Sequence, residues 1–290
     1  MRFWIIICLL LGFFPTKSQT KRALISGIGE YPVESGWHSI NGDNDVPLIT
    51  DALIQKGFDS GNIVSLINEK ATKENILYKF SHLTKEARQN DIIYIHFSTH
   101  GQQVVDLDGD EEDGLDEAII PFDAQKSFVK GQYEGENHLM DDELNELLSA
   151  LRNKIGEEGT LLVIIDACHS GDATRGELNE DDDVIIRGTS EIFKAEKTAV
   201  YEIRNSGMIE WVVISATQPH QNNYEYKISD SYFGSLSYAV KLALPELKSE
   251  ADFTQLFELI QIKRKEMDVA RYPQRPMLEG NIFYQNQKVF

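Results

Sequence analysis

Cysteine is scarce in this 290-residue chain: there are two, Cys8 and Cys168, too few for a disulfide scaffold. Basic residues are also in deficit. The 28 lysines and arginines stand against 47 aspartates and glutamates, a formal charge of −19, and a field of that sign repels phosphate backbones. Nucleic acid is therefore not an expected partner, whereas cationic peptides or metal ions suit the field. There is no internal repeat and no low-complexity tract. With 41% hydrophobic and 26% charged residues, a wholly disordered chain, a collagen-like chain and a coiled-coil rod are excluded. Long apolar runs are missing too. Trp4 to Phe14 gives about eleven residues, short of the roughly 20 that span a bilayer as a helix.

That short run reads as an address. Arg2 supplies a positive start, and Thr16 with Ser18, or Ser18 with Thr20, puts small residues where a signal peptidase prefers them. Residues 1–20 are expected to be a signal peptide, with an uncleaved anchor as the alternative. The mature protein is then secreted or periplasmic, with no stable membrane association. Cys8 leaves with the signal, so the mature chain carries one cysteine, Cys168, which is either reactive or a buried structural residue.

Strand and helix patterns alternate along the remainder. Arg22–Ile28, Asn62–Ile67, Asp91–Ser98, Thr160–Asp166 and Trp211–Ser215 read as short apolar strands. Helices are expected over Val46–Lys56, after a cap at Thr72, and from Asp141 to Leu151. Near-continuous apolar strands alternating with helices predict an α/β fold, a mainly parallel central sheet with helices on both faces. One domain spanning 21–290 is expected. Within it, 172–210 breaks the rhythm and reads as a long surface loop with a small hairpin or helix. Its basic residues, Arg175, Arg187, Lys194 and Lys197, lie where nicking concentrates. The tail after Gln274 reads as a closing strand.

Two strand ends carry chemistry. One strand runs into Phe97-Ser98-Thr99-His100-Gly101, another into Asp166-Ala167-Cys168-His169-Ser170-Gly171. Ligands of open parallel sheets bind beyond the carboxyl ends of the strands. If these two strands are neighbours, His100 and Cys168 emerge together. A thiol near pKa 8.5 is mostly protonated at neutral pH, and a neighbouring imidazole can take its proton. The N–H groups of Gly101 and Cys168 then become candidate oxyanion donors, each typically worth about 3–4 kcal/mol in the transition state. His169 adjoins the thiol, but adjacent residues of a chain entering a helix point in different directions. His38, His82, His96, His138 and His220 are read as surface or packing residues, with His96 on the same side of its strand as Tyr94 and Ser98.

FSTHG and IIDACHSG, with the acidic block DLDGDEEDGLDEAIIPFDA between them, resemble the catalytic motifs of the caspase-like cysteine peptidases. The similarity is greatest to the metacaspases and their bacterial relatives. WHSINGDNDV, MDDEL, ISATQPHQNNYE and the stretch around SYFGSLSYAVKLAL match as well, so the resemblance runs roughly from Arg22 to Leu244. It implies a caspase–haemoglobinase fold and a cysteine endopeptidase acting through a Cys168/His100 dyad and a thioacyl-enzyme. It also implies peptide or protein substrates with Arg or Lys before the cleaved bond, held by Asp45 and Asp166. Ser215, at the end of its strand, is a further candidate lining residue. The family often has a cysteine where Gly42 or Ala167 stands, so a role for a second thiol is absent here.

No cofactor is implied for the chemistry. Calcium is the candidate metal, with Asp141 and Asp142 as its ligands by resemblance; a solvated acidic loop and a helix cap are the plainer reading of the same residues. Self-processing is expected in the 172–210 loop, first at Arg175. The alternatives are a calcium-binding interaction module with little turnover and a peptidase of non-basic specificity.

Overall fold

The structure, a computed structural model, describes residues 19–106, 109, 111, 114–168, 185–195, 209–218, 221–267 and 274–290. The expected signal peptide up to residue 18, much of the acidic block, His169, Arg175, Lys197 and His220 lie outside the described residues.

In chain order the elements are β1 (Lys21–Gly27), α1 (Gly42–Gln55), β2 (Ile63–Ile67), α2 (Lys73–Glu86), β3 (Ile92–Ser98), β4 (Gly101–Val105), β5 (Leu115–Ile119) and β6 (Leu139–Met140). Then follow α3 (Asp141–Ile155), β7 (Thr160–Asp166), β8 (Val212–Ser215), β9 (Glu225–Ile228), β10 (Ser231–Gly234), α4 (Ser235–Glu246), α5 (Phe253–Glu266), β11 (Met277–Glu279) and α6 (Ile282–Gln285). A six-stranded sheet has the order β11-β8-β7-β3-β1-β2. Only β11 runs antiparallel in it.

Strand alternation divides the core between the two faces. Leu24, Ile93, Ile95, Leu161 and Val163 pack with Ile76 and Phe80 of α2 and Leu144, Leu148 and Leu151 of α3. Ala23, Ile25, Tyr94, Leu162 and Ile164 face Ile49 and Leu53 of α1, Leu236 and Val240 of α4, and Leu256 and Ile260 of α5. The mixed α/β architecture with a mostly parallel sheet covered on both faces is the one expected from the sequence.

Local signals explain the helix starts. The Thr72 hydroxyl accepts the Asn75 N–H at 3.3 Å, and Asp252 and Gln255 form a capping box ahead of α5. The first helix begins earlier than its apolar pattern predicts. Gly42-Asp43-Asn44-Asp45 is its opening turn, where acidic side chains suit the positive end of the helix dipole.

From β1 the chain goes outward to β2, then crosses back to β3 and on to β7 and β8. The direction therefore reverses between β1 and β3, the place where an open α/β sheet binds ligands. Beyond that edge, β4-β5-β6 and the β9-β10 hairpin form separate small sheets. Neither was apparent from the sequence, because their short strands are polar and depend on partners far along the chain.

Candidate active site

Strands β3 and β7 are parallel neighbours, with Ser98 opposite Asp166. Thr99-His100-Gly101 and Ala167-Cys168 consequently leave the sheet side by side. His100 is fully buried in an aromatic enclosure. Trp37 stacks on its ring at 4.7 Å between centroids, Tyr31 lies at 5.1 Å, and His38 meets it edge-on at 4.5 Å. The ring lies 2.9 Å, through Nε2, from the carbonyl oxygen of His38. A carbonyl only accepts, so Nε2 carries the hydrogen and Nδ1 holds the lone pair. Nδ1 is buried and, among the described residues, has no hydrogen-bond partner. Burial, with smaller contributions from nearby cationic side chains, holds this imidazole well below its usual pKa. It therefore rests neutral, the form able to accept a proton.

The Cys168 side chain is buried and donates toward the Gln221 carbonyl at 3.4 Å. The backbone N–H groups of Cys168 and Gly101 converge on one atom, the carbonyl oxygen of Arg187, at 2.9 and 3.3 Å. Two donors on one oxygen is the arrangement an oxyanion hole requires.

The side chain of that same Arg187 is completely buried among acidic groups. Its Nη2 forms an ion pair with Asp45 at 2.8 Å, its Nε with Glu225 at 3.0 Å, and its Nη1 a longer one with Asp166 at 3.7 Å. Nη1 also donates to the Ser98 hydroxyl, which in turn donates to Asp45. Asp166 is fixed from behind: the Asn223 amide donates to it at 2.7 Å, and the Ser237 N–H and O–H at 2.7 and 2.6 Å. His96 donates to Ser237 through Nε2 and accepts from the Tyr94 hydroxyl, each at 3.0 Å, so the relay runs back into the core. His96 does face the side of Tyr94 and Ser98. It is a support for Asp166 rather than plain packing. A glycine closes the pocket, since a Cβ at Gly234 would lie 2.1 Å from Asp166 Oδ2 and 2.5 Å from Arg187 Nη1.

The electrostatics follow from three buried carboxylates around one guanidinium. Burial, opposed by Arg187 and reinforced by Asp166, raises Asp45 to about 6. Burial works against Asp166 as well, but Arg187 and the bonds from Ser237 and Asn223 outweigh it and hold this carboxyl below its usual value. Arg187 is held in its cationic form by the same carboxylates.

Arg187 arrives as part of an extended segment. Its N–H donates to the Asn223 carbonyl at 2.9 Å, and the Glu225 N–H donates to the Ile185 carbonyl at 2.9 Å. Ile186 pairs antiparallel with Tyr224. The ring of His38 reaches the Ile186 carbonyl through Nε2 at 3.0 Å. Downstream, Phe193 exchanges backbone bonds with the edge of β4, its N–H donating to Gln103 at 2.8 Å and its carbonyl accepting from Val105 at 3.0 Å.

Two expectations change. The described part of 172–210 is not a surface loop over 185–195; it lies in the cleft because its buried arginine and Phe193 have partners there. Ser215 is not brought to the guanidinium. It stands in register with Ile165, and cross-strand partners share a face, which is the face opposite to Asp166. His38, Ser98, Asn223, Glu225 and Ser237 had not been singled out for the site. Ser98 lay in plain view, two residues before His100 and on the His96 side of the strand.

Asp141 and Asp142 lie in the first turn of α3. Burial, then Asp116, Glu117 and Asp142, raise the Asp141 carboxyl to about 8. Its folded value exceeds its unfolded one, so the stabilisation of the protonated form is complete below about pH 4 and is lost as pH rises through about 8. Asp141→Asn keeps the oxygen that accepts the Asp142 N–H at 3.0 Å. It is expected to raise the melting temperature at pH 8 by several degrees and leave it unchanged at pH 4, read by calorimetry at both values.

A family model described as "Metacaspase, peptidase C14 domain" matches residues 21–175. Metacaspase-1A of Aspergillus oryzae is 34% identical over 161 residues, covering 53% of this chain and 35% of the relative. Metacaspase-1B of Aspergillus fumigatus is 38% identical over 138 residues, 45% of this chain and 31% of the relative. The chain thus spans about a third of the length of the curated relatives it matches. Among solved structures, protein GSU0716 from Geobacter sulfurreducens aligns over 93% of this chain and 98% of its own, with a TM-score of 0.61 and 18% identity, a likeness of fold. Arg187, Asn223, Glu225 and Ser237 lie beyond the stretch that the family model matches.

Proposed function

The chain belongs to the metacaspase family of peptidase C14, and from that premise we propose that it is a cysteine endopeptidase cleaving peptide bonds after arginine, with lysine a poorer substrate. Cys168 is the nucleophile and His100 the acid–base. The Cys168 thiol gives its proton to Nδ1 of His100 as sulfur attacks the substrate carbonyl carbon, and the N–H groups of Gly101 and Cys168 hold the resulting oxyanion. His100 returns the proton to the departing amine. Water, deprotonated by the same imidazole, then hydrolyses the thioacyl-enzyme.

One observation carries this reading. Arg187 has its carbonyl oxygen between the two N–H donors while its guanidinium fills the pocket of Asp45, Asp166 and Glu225, as the residue before a scissile bond must. The pocket also discriminates between cations. Three separate guanidinium nitrogens meet acidic partners, whereas an ammonium offers one point of charge. Charge-assisted bonds are each worth about 1.5–3 kcal/mol, so arginine should exceed lysine in kcat/KM by about tenfold or more. Fluorogenic peptides differing only at that residue measure it. Equal cleavage of acidic or neutral peptides would remove basic specificity, and no turnover across a diverse library would favour a non-catalytic module.

These steps call for no metal or cofactor. Calcium was expected at Asp141 and Asp142, but among the described residues no group of three or more carboxylate, imidazole or thiol side chains is arranged to hold an ion. Calcium binding at that pair stays part of the proposal, supported by the carboxylates of Asp116 and Glu117 near Asp141. Export through the amino-terminal signal remains part of the proposal, supported by Arg2 and the apolar run that follows. Among the described residues, no helix is long and apolar enough to cross a membrane.

A further inference from the structure

We propose that Gln274 is a positioning residue for the arginine pocket: its side-chain amide sets the direction in which Asn223 faces Asp166. The inference rests on the peptidase reading above. It deepens that reading by assigning a residue, beyond the stretch that the family model matches, to the choice between cations.

Gln274 stands just ahead of β11 and is buried behind the pocket. Four groups from three parts of the fold meet its side-chain amide. Its Oε1 accepts the Tyr224 N–H at 3.2 Å. Its Nε2 lies 2.7 Å from Asn223 Oδ1, 2.7 Å from the Ser235 hydroxyl at the start of α4, and 3.4 Å from the Ala216 carbonyl just past β8. The backbone is anchored as well. The Gln274 carbonyl accepts from Arg264 of α5 at 2.8 Å, and the next N–H, of Arg275, donates to Gln221 Oε1 at 2.9 Å.

These contacts carry a direction. A backbone N–H only donates, so the Gln274 atom that meets Tyr224 must be its oxygen. The NH2 group of Gln274 is left toward Asn223, which must present its own oxygen there. Asn223 is thereby turned with its NH2 toward Asp166, where it donates to Oδ1 at 2.7 Å. One fixed backbone donor thus orients two successive amides, and the series ends on a carboxylate of the pocket. With Asn223 turned the other way, its oxygen would face the Asp166 carboxylate, and two acceptors would repel. Gln274 is the group that holds that oxygen away.

Asn223 is placed to pass this on to a bound arginine. Its carbonyl accepts the Arg187 N–H at 2.9 Å while its side chain steadies Asp166. Asp166 faces Nη1, as Asp45 faces Nη2 and Glu225 faces Nε. A displaced Asp166 takes one of three partners from a guanidinium, whereas an ammonium, a single point of charge, settles on the carboxylates that remain. Losing the direction set by Gln274 therefore weakens arginine more than lysine.

The test uses the full chain and two fluorogenic peptides that differ only in Arg or Lys before the cleaved bond. Arg187 competes with both alike, so its occupancy cancels from the ratio of their kcat/KM values, and so does any loss of folded protein. Gln274→Met keeps the length of the side chain and removes its polarity. It is expected to lower the arginine-over-lysine ratio by about threefold or more. Gln274→Ser, which leaves room for a water, should do the same, because water donates or accepts and imposes no direction. It carries the test if the methionine variant does not fold. Asn223→Ala should lower the ratio as far, and Gln274→Met added to it no further, since both act through one carboxylate. A folded Gln274 variant with the wild-type ratio, even if both rates fall together, would overturn the inference, and so would effects that multiply in the double variant. A wild-type chain that cleaves neither peptide, or cleaves both equally, would overturn the reading of the site itself and the role of Gln274 with it.

Discussion

Cys168→Ala is expected to lower kcat for an arginine peptide by about 10⁴-fold or more while leaving the protein folded. The substitution keeps the buried Cβ and removes a sulfur that donates weakly to the Gln221 carbonyl at 3.4 Å, a neutral bond worth little to the fold. It also leaves the backbone donors at positions 101 and 168 in place, and their transition-state stabilisation sets the residual rate. His100→Ala should fall to a similar level, and the double variant hardly further, because the two side chains act on one proton. Circular dichroism and thermal melting verify the fold, and active-site-independent contaminants are excluded by purifying all variants alike. An alanine variant that keeps more than a few per cent of the activity would place the nucleophile elsewhere.

The thiol gives a second readout of the same centre. A cysteine poised for catalysis is often labelled readily by iodoacetamide, yet Cys168 is 1% exposed and has Gly188 against it. Slow labelling of the folded chain is therefore expected. Prompt stoichiometric labelling of the folded protein would contradict the packing.

How much of this was legible in the sequence depends on how local each feature is. Ile92–Ser98 and Thr160–Asp166 are apolar on both faces, and such runs form buried parallel strands wherever they occur. Their ends therefore gave His100 and Cys168 a common edge, and the spacing of Asp166 to Cys168 fixed the side of the backbone. Asp45 could be placed near them only by resemblance. Arg187 was read from its polar neighbourhood as a loop residue. Its burial depends on Asp45, Asp166 and Glu225, which lie 142, 21 and 38 positions away, and no local pattern encodes such a meeting. The short apolar pair Ile185-Ile186 ahead of Arg187-Gly188 was the one available signal. Ser215 failed for a simpler reason: one position along a strand reverses the face, and its register with Ile165 could not be known before β8 was paired.

Asp45→Asn should carry the largest effect on specificity. The carboxylate accepts the Gly234 N–H at 3.1 Å and the Ser98 hydroxyl, and faces Arg187 Nη2 at 2.8 Å. An asparagine can keep its oxygen on Gly234, and the Ser98 hydroxyl can turn to accept from the new amide, so the fold should tolerate it. The remaining amide hydrogens then point at the guanidinium. Breaking one partner of a buried charge pair costs about 3–5 kcal/mol, so kcat/KM for arginine peptides should fall by about 10²–10³-fold, mainly through KM. The pH profile separates this from a general loss of structure. With arginine bound, Asp45 titrates at about 6. In the empty pocket the cation is gone, while burial and Asp166 still oppose its charge, so the value there is higher. Binding of arginine thus lowers the pKa of Asp45, and affinity is strongest above the empty-pocket value. It weakens as pH falls through the interval and levels off at its lower value below about 6, where the contribution of ionised Asp45 is gone. Arginine-peptide KM should therefore rise as pH is lowered toward 6 in the wild type and stay flat over the same range in Asp45→Asn. A variant that retains the acidic rise would show that another group sets it, and Glu225, on the Nε side of the same guanidinium, would be the next to replace.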